Sequence, residues 1–101
     1  MTISEYHNYV KLRSQPFVDL NYSIVALNGE AGEVAEWHKK YNLRGNPTGE
    51  LTAGDLKSEL GDVLFYLTSI ASINGWTLSE IMETNKDKLD KRIEKKMRSV
   101  V

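Results

Sequence analysis

The sequence predicts an all-α protein, organised as a four-helix, bundle-like subunit. Apolar residues recur at helical spacing in four segments, and no segment alternates with a period of two over a useful length. Helix-capping patterns stand before three of these segments. The 101 residues are enough for one small domain, which we place at residues 1–101. Because a domain of this size buries a modest fraction of its surface, we expect a demanding active site to need a partner subunit.

The first two helices are marked by a capping pattern and by a long apolar stripe. Thr2 followed by Glu5 predicts a helix that starts there and ends before Pro16. A second helix is expected from about residue 19 to residue 41. Its apolar residues recur at helical spacing: Leu20, Ile24, Leu27, Ala31 and Val34.

A glycine-rich loop separates the second helix from the third. Residues 42–54 contain three glycines and an Asn-Pro pair, and their apolar residues show no period. Loops of this length in a small domain are often functional. A second capping pattern, Thr52 with Asp55, starts a third helix that is expected to run to about residue 74 and to stop at Gly75.

The fourth helix opens at a third capping pattern, Thr77 with Glu80. Asn85 interrupts its apolar side, and a polar amide that faces inward needs partners. Two interpretations fit Asn85 equally: a core amide satisfied within the protein, or a contact to a metal-bound water or a phosphate. The last third of the helix is strongly charged, which is typical of a solvated face. The apolar side consists of Leu78, Ile81, Met82, Leu89, Ile93 and Met97.

Composition excludes several classes of function. The net charge of −1 exerts no strong attraction on a nucleic acid polymer or an acidic membrane. No apolar run reaches the ~20 residues of a membrane span. The absence of cysteine excludes disulfides, thiolate nucleophiles and cysteine-bound zinc. We therefore expect a cytoplasmic protein that has no signal peptide and binds neither a nucleic acid polymer nor a membrane.

Two short segments repeat one pattern: acid, any residue, glycine, acid, valine. They are residues 30–34 and residues 59–63. Positions three apart share a helix face, so each segment directs two carboxylates the same way. At about 100° per residue, both pairs lie at the edge of the apolar stripe of their helix. Antiparallel packing of the two stripes would bring together four acids: Glu30, Glu33, Glu59 and Asp62.

Four converging carboxylates are costly unless a cation compensates their charge. Neither pair contains a histidine, which disfavours di-iron and zinc sites. An all-carboxylate set favours Mg²⁺, with Mn²⁺ as a substitute. Gly32 and Gly61 each precede the second acid, and we expect them to let the two backbones approach closely.

Other residues near the acid pairs have more than one interpretation. Glu36 is either a ligand or base that activates water, or a surface acid that pairs with Lys39 or Lys40. Basic residues near a carboxylate-bound cation suit a polyphosphate, although solvation explains each one singly. Four aromatic residues are large enough to stack on a base, with core packing or a subunit interface as the other explanation: Phe17, Tyr22, Trp37 and Tyr66. Since no covalent nucleophile stands out, metal-activated water is the natural attacker.

The chain resembles the MazG-like nucleotide pyrophosphohydrolases over about residues 18–95. The resemblance is carried by residues 27–36 (LNGEAGEVAE), 59–67 (ELGDVLFYL), 75–78 (GWTL) and 85–92 (NKDKLDKR). It implies an all-α, Mg²⁺-dependent enzyme that cleaves nucleoside triphosphates to the monophosphate and pyrophosphate. It also implies dimers or tetramers whose active sites lie between helices of neighbouring subunits. One departure is Gly29, where many members have an additional acid.

Residue roles follow from the resemblance position by position. The implied metal-binding acids are Glu30, Glu33, Glu59 and Asp62. Asn85 and Lys88 match positions of the last helix that face the nucleotide, and Lys39 or Lys40 matches a basic position after the first acid pair. Three further candidate substrate-binding residues do not come from the resemblance: Arg92 is a basic residue one turn after Lys88, and Tyr66 and His7 are candidates for base recognition. The candidate catalytic acids that polarise water are Glu33 and Glu36.

The expected function is therefore Mg²⁺-dependent hydrolysis of (deoxy)nucleoside triphosphates by metal-activated water, in a homodimer or homotetramer. The alternative is a non-catalytic helical module that binds nucleotides or oligomerises without turnover. A third interpretation keeps the metal site but assigns it a damaged nucleotide or a phosphoribosyl intermediate as substrate.

Overall fold

The computed structural model describes residues 1–14, 16 and 18–100, without the side chain of residue 100. Phe17, a candidate for base stacking, lies outside the described residues. The chain forms four α-helices, Ile3–Ser14 (α1), Leu20–His38 (α2), Ala53–Ile73 (α3) and Leu78–Val100 (α4), and the π-helical turn Lys39–Leu43 continues α2. The structure is 81% helical and the described residues form no strand, which confirms the all-α prediction. None of the helices in the described ranges is both long and apolar enough for a membrane span.

The capping patterns place the helix starts where the sequence predicted them. In α1 the Thr2 amide donates to Glu5 Oε1 at 3.0 Å, and the Glu5 amide donates to Thr2 Oγ1 at 3.1 Å. Capping boxes of the same kind open α3 and α4. The α2 helix instead begins with the Asp19 carboxylate, which accepts from the Tyr22 amide at 2.8 Å. These bonds satisfy amides that would otherwise lack partners in the first turn.

The helix ends agree with the sequence less closely. The α2 helix ends at His38 rather than at residue 41, and the π-helical turn delays the start of the irregular loop to residue 44. A π-turn is rare and is frequently found at functional sites. The α3 helix stops as predicted, because Gly75 takes a φ of +79° and the Trp76 amide then donates back to the Ala71 carbonyl at 2.9 Å.

The α2 and α3 helices form an antiparallel pair whose register is fixed by two contacts. Near one end, the hydroxyl oxygens of the fully buried Ser23 and Ser69 are 3.1 Å apart. Near the other end, Trp37 Nε1 donates to the Thr52 carbonyl at 3.1 Å. Residue 30 lies half-way between these contacts on α2, and residues 59–62 lie half-way between them on α3. The register therefore places the two acid-containing segments opposite each other.

The apolar stripes of α2 and α3 are only partly covered within one chain. Leu27 and Val63 are half-buried, whereas Ile24, Leu60 and Leu64 remain exposed. The two helices pack against each other, but part of each stripe is left open to solvent. The buried hydrophobic residues of the described chain are Val10, Ala71 and Leu78.

The α4 helix extends away from the rest of the subunit. Helix α1 packs against α3 and α4, whereas α4 makes no contact with α2 in the described part of the chain. Every described side chain from residue 82 to residue 99 is exposed. The radius of gyration is 17.3 Å, against about 13 Å for a compact domain of this length. The prediction of four helices holds, but within one subunit they do not close into a compact bundle.

Candidate metal centre

Three of the predicted acids meet across the α2–α3 pair, and we call Glu30, Glu59 and Asp62 the acid cluster. One carboxylate oxygen from each lies within 4.8 Å of the others. Glu59 and Asp62 share a face of α3 because they are three residues apart, and the helix register sets Glu30 opposite them. Glu30 and Glu59 are half-buried, whereas Asp62 is exposed.

The acid cluster concentrates negative charge without a cationic side chain to balance it. Burial raises the pKa of Glu30, and the charges of Asp62, Glu59 and Glu33 raise it further. Among the described residues, no lysine or arginine forms an ion pair with the acid cluster. Carboxylate oxygens at this separation are the donor set that a hard divalent cation takes. The residues present therefore fit a divalent metal ion.

Glu33 is the predicted ligand that the structure does not bring into the acid cluster. It is exposed, although its negative charge acts on Glu30. Since Glu30 stands opposite residues 59–62, Glu33 stands about one turn nearer the start of α3. Its role as a metal ligand stays a prediction.

Tyr66, a predicted substrate-binding residue, follows Asp62 by one turn of α3 and lies beside the acid cluster. Burial raises the pKa of Tyr66, and the Tyr22 hydroxyl and the charges of Glu30 and Asp62 raise it further. The ring centroids of Tyr66 and Tyr22 are 6.1 Å apart, and the Phe65 ring stands edge-on to Tyr66 at 5.2 Å. The negative charges of Glu30 and Asp62 thus act on the hydroxyl of Tyr66.

The fold and the acid cluster lie within a known domain. Residues 21–97 match the family model of the MazG nucleotide pyrophosphohydrolase domain. The chain belongs to this family. The gene 37 protein of Mycobacterium phage L5 is 40% identical to it over 76 residues, which cover 72% of this chain and 65% of the phage protein. The chain therefore covers less than two thirds of that relative's length, and no solved structure matches it.

The match to the MazG domain confirms the family resemblance that was inferred from the sequence motifs. The matched region contains the acid cluster, Glu33 and Tyr66, together with the α2–α3 pair that positions them. MazG domains are typically metal-dependent, and the acid cluster is the group of side chains in the described residues that could hold a metal ion. The family also associates the fold with cleavage of nucleotide pyrophosphate bonds.

The candidates that follow the first acid pair lie nearer the C-terminal end of α2 and in the π-helical turn. Lys40 Nζ is 3.7 Å from Glu36 Oε1, and both side chains are about half exposed. This is the surface pairing that the sequence left open for Glu36. Lys39 is exposed beside this pair, in the π-helical turn. The catalytic role of Glu36 and the substrate contacts of both lysines stay predictions.

The candidates on α1 and α4 are spread along the outside of the MazG subunit. His7 lies where α1 meets the start of α4, and its Nδ1 atom is buried without a hydrogen-bond partner. Asn85 is exposed rather than directed into a core, and it lines an open apolar cleft of about 720 Å³ between α1, α3 and α4. Lys88 and Arg92 are exposed farther along α4. Within one chain Asn85 thus faces an open cleft rather than a closed core, and its contact with a substrate stays a prediction.

Gly32 and Gly61 do not have the role predicted for them. A Cβ atom built at either position would meet no neighbouring atom within 4 Å, so neither glycine is required for close backbone approach within the subunit. Ser23 and Ser69, whose hydroxyls are in contact, mark the close approach instead. The residue that sequence reasoning undervalued is Tyr22, whose spacing of about two turns from Glu30 was the available signal.

Proposed function

We propose that this MazG protein hydrolyses (deoxy)nucleoside triphosphates to the nucleoside monophosphate and pyrophosphate, with Mg²⁺ as its metal ion and Mn²⁺ as a substitute. The observation that carries the proposal is the acid cluster, whose three carboxylates converge within 4.8 Å and have no basic partner among the described residues. The match to a nucleotide pyrophosphohydrolase domain supports the same reaction class.

The proposed roles follow from where the side chains lie. Glu30, Glu59 and Asp62 would hold the metal ion. When bound, Mg²⁺ supplies neutralisation of phosphate charge and makes water a stronger nucleophile. Tyr66, beside the acid cluster, can donate its hydroxyl proton to a phosphate or sugar oxygen of the substrate.

Glu33 is the better of the two candidates for accepting a proton from the attacking water. It is exposed, and its charge acts on Glu30, so it lies within electrostatic reach of the metal centre. Glu36 is instead engaged with Lys40. A carboxylate that is free of an ion pair is the stronger candidate for a general base.

We also propose that the chain assembles with further copies of itself into a homodimer or homotetramer. The chain leaves apolar side chains exposed on α2, α3 and α4, including Ile24, Leu60 and Ile93. Residues 86–98 of α4 carry seven basic and three acidic side chains, a charge opposite to that of the acid cluster. A second copy would supply both an apolar face for α4 and acids for its basic residues.

The test is pyrophosphate release from each deoxynucleoside and ribonucleoside triphosphate in the presence of Mg²⁺, with oxidised nucleotides included in the panel. We expect turnover of at least one substrate, and loss of turnover in Glu59→Gln. Glu83→Gln is the matched control, because Glu83 is exposed on α4 and forms no ion pair among the described residues. Nucleotide binding without turnover would instead identify a non-catalytic binding module.

A further inference from the structure

The packed α2–α3 pair has two aromatic residues in contact toward each of its ends, with the acid cluster between them. Tyr22 and Tyr66 form one pair, near the buried contact of Ser23 with Ser69. Trp37 forms the other pair with Tyr41, near the start of α3. A nucleotide whose phosphates lie at the acid cluster could therefore extend its base in either of two directions.

The two aromatic pairs differ in what they leave free for a ligand. The rings of Trp37 and Tyr41 are already stacked, with centroids 4.6 Å apart and planes 12° apart, and the indole N–H donates to the Thr52 carbonyl. The Tyr22 ring is tilted by 51° against Tyr66 and is 56% exposed. Tyr22 therefore retains an open ring face, whereas Trp37 is already held by its neighbours.

The charges along α2 also distinguish the two directions. Lys39, Lys40 and Arg44 follow Trp37 in and directly after the π-helical turn. The Tyr22 end carries no basic side chain within one turn on α2. Because the β- and γ-phosphates carry most of the substrate's charge, the basic end of the α2–α3 pair suits pyrophosphate and the tyrosine end suits the nucleoside.

The distances along the helix axes from the acids to the two tyrosines agree with this orientation. Tyr66 follows Asp62 by four residues, about 6 Å along the helix axis, and Tyr22 precedes Glu30 by eight residues, about 12 Å. A nucleotide is connected in the order phosphate, sugar and base. With the phosphate at the acid cluster, the sugar would lie beside Tyr66 and the base beside Tyr22.

We infer that Tyr22 is the residue on which the substrate base stacks, so that the nucleoside lies over the Tyr22–Tyr66 pair and the pyrophosphate group points toward the π-helical turn. This inference deepens the proposed function and rests on it. Stacking on an aromatic face tolerates different bases, so Tyr22 would contribute affinity for the nucleoside more than selectivity among bases.

The experiment compares binding at the two ends of the site without requiring turnover. Calorimetry with Mg²⁺ measures the Kd of non-hydrolysable α,β-imido deoxynucleoside triphosphates and, separately, the Kd of inorganic pyrophosphate. For Tyr22→Ala we expect the Kd of the tightest nucleotide analogue to rise about 5- to 100-fold, and the Kd of pyrophosphate to stay within about twofold. Tyr22→Phe, which keeps the ring, should stay within about twofold for both ligands.

Tyr9→Ala is the matched control, because Tyr9 is also a half-exposed tyrosine but stacks on Tyr6 of α1. It should leave both dissociation constants unchanged. The inference is overturned if Tyr22→Ala leaves the Kd of the analogue unchanged, weakens pyrophosphate equally, or weakens the analogue no more than Tyr22→Phe does. A wild-type protein that binds the analogue but releases no pyrophosphate from any nucleotide contradicts the proposed hydrolysis, while the comparison of Tyr22 variants still decides the orientation.

Discussion

The α2–α3 pair and the α4 helix are both long and amphipathic, but α2 and α3 contact each other along their length whereas only the start of α4 is covered within the chain. The pair is held by the buried Ser23–Ser69 contact and the Trp37–Thr52 hydrogen bond. In α4, the apolar residues Leu89, Ile93 and Met97 are all exposed. A single chain thus assembles the acid cluster but leaves the apolar side of α4 beyond Ile81 exposed. Matched substitutions in the two regions test this division.

The largest difference in activity is expected when an aspartate is replaced by asparagine in each of the two regions. Asp62→Asn removes a carboxylate from the acid cluster and should lower kcat/KM for nucleoside triphosphates at least about 100-fold, since metal ligands matter more than the outer contacts whose loss costs 10- to 100-fold. Asp90→Asn removes the partner of Lys86 on the surface of α4 and should leave kcat/KM within about twofold. Pyrophosphate release under Mg²⁺ saturation measures both. Equal losses in the two variants would contradict the assignment of the metal centre.

Packing in the two regions is compared by enlarging a serine in each. Ser69→Leu inserts a large side chain into the fully buried α2–α3 contact and removes the partner of Ser23, so the free energy of unfolding should fall by about 1–3 kcal/mol. Ser99→Leu, at an exposed position near the end of α4, should change it by less than about 0.5 kcal/mol. Urea denaturation followed by circular dichroism measures the difference. A tolerated Ser69→Leu would show that the two helices are not held at this contact.

The same division explains how much of the structure the sequence predicted. The helix starts were predictable because capping depends on residues only three apart, as with Thr2 and Glu5. The acid cluster was predictable because the positions of Glu59 and Asp62 relative to the stripe follow from helical geometry alone. The π-helical turn left no periodic signal, because it adds a residue to a turn without changing the residue types.

The features that the sequence did not predict depend on which helix faces are covered by another helix. Helical phase placed Asn85 on an apolar side, but it does not say whether that side is covered within one subunit. The same limit applies to the stripes of α2 and α3, of which Ile24, Leu60 and Leu64 stay exposed. Amphipathic periodicity identifies a surface that requires a partner, whereas the choice of partner is a property of the assembled protein.

Assembly is expected to depend on α4. Ile93→Glu places a charge in the middle of its exposed apolar side and should weaken self-association at least about tenfold, which corresponds to about 1.4 kcal/mol. Ser99→Glu adds the same single negative charge at an exposed polar position farther along α4 and serves as the control for the added charge. Sedimentation equilibrium over a range of protein concentrations measures the dissociation constant. Equal effects of the two variants would indicate that charge, rather than the apolar side of α4, governs association.

The smallest expected effect is on the free energy of unfolding, and its sign differs between the two regions. Glu30→Gln removes a charge that Asp62, Glu59 and Glu33 repel, so without divalent cations it should raise the free energy of unfolding, by less than about 1 kcal/mol because the cluster is partly solvated. Glu94→Gln breaks the Glu94–Arg98 ion pair of α4 and should leave stability unchanged or lower it by up to about 0.5 kcal/mol. Thermal unfolding with and without Mg²⁺ completes the test, because a cation that binds the folded state raises Tm. Mg²⁺ should raise Tm in the wild type and in Glu94→Gln but not in Glu30→Gln, and a Tm increase that survives in Glu30→Gln would place the Mg²⁺ site away from the acid cluster.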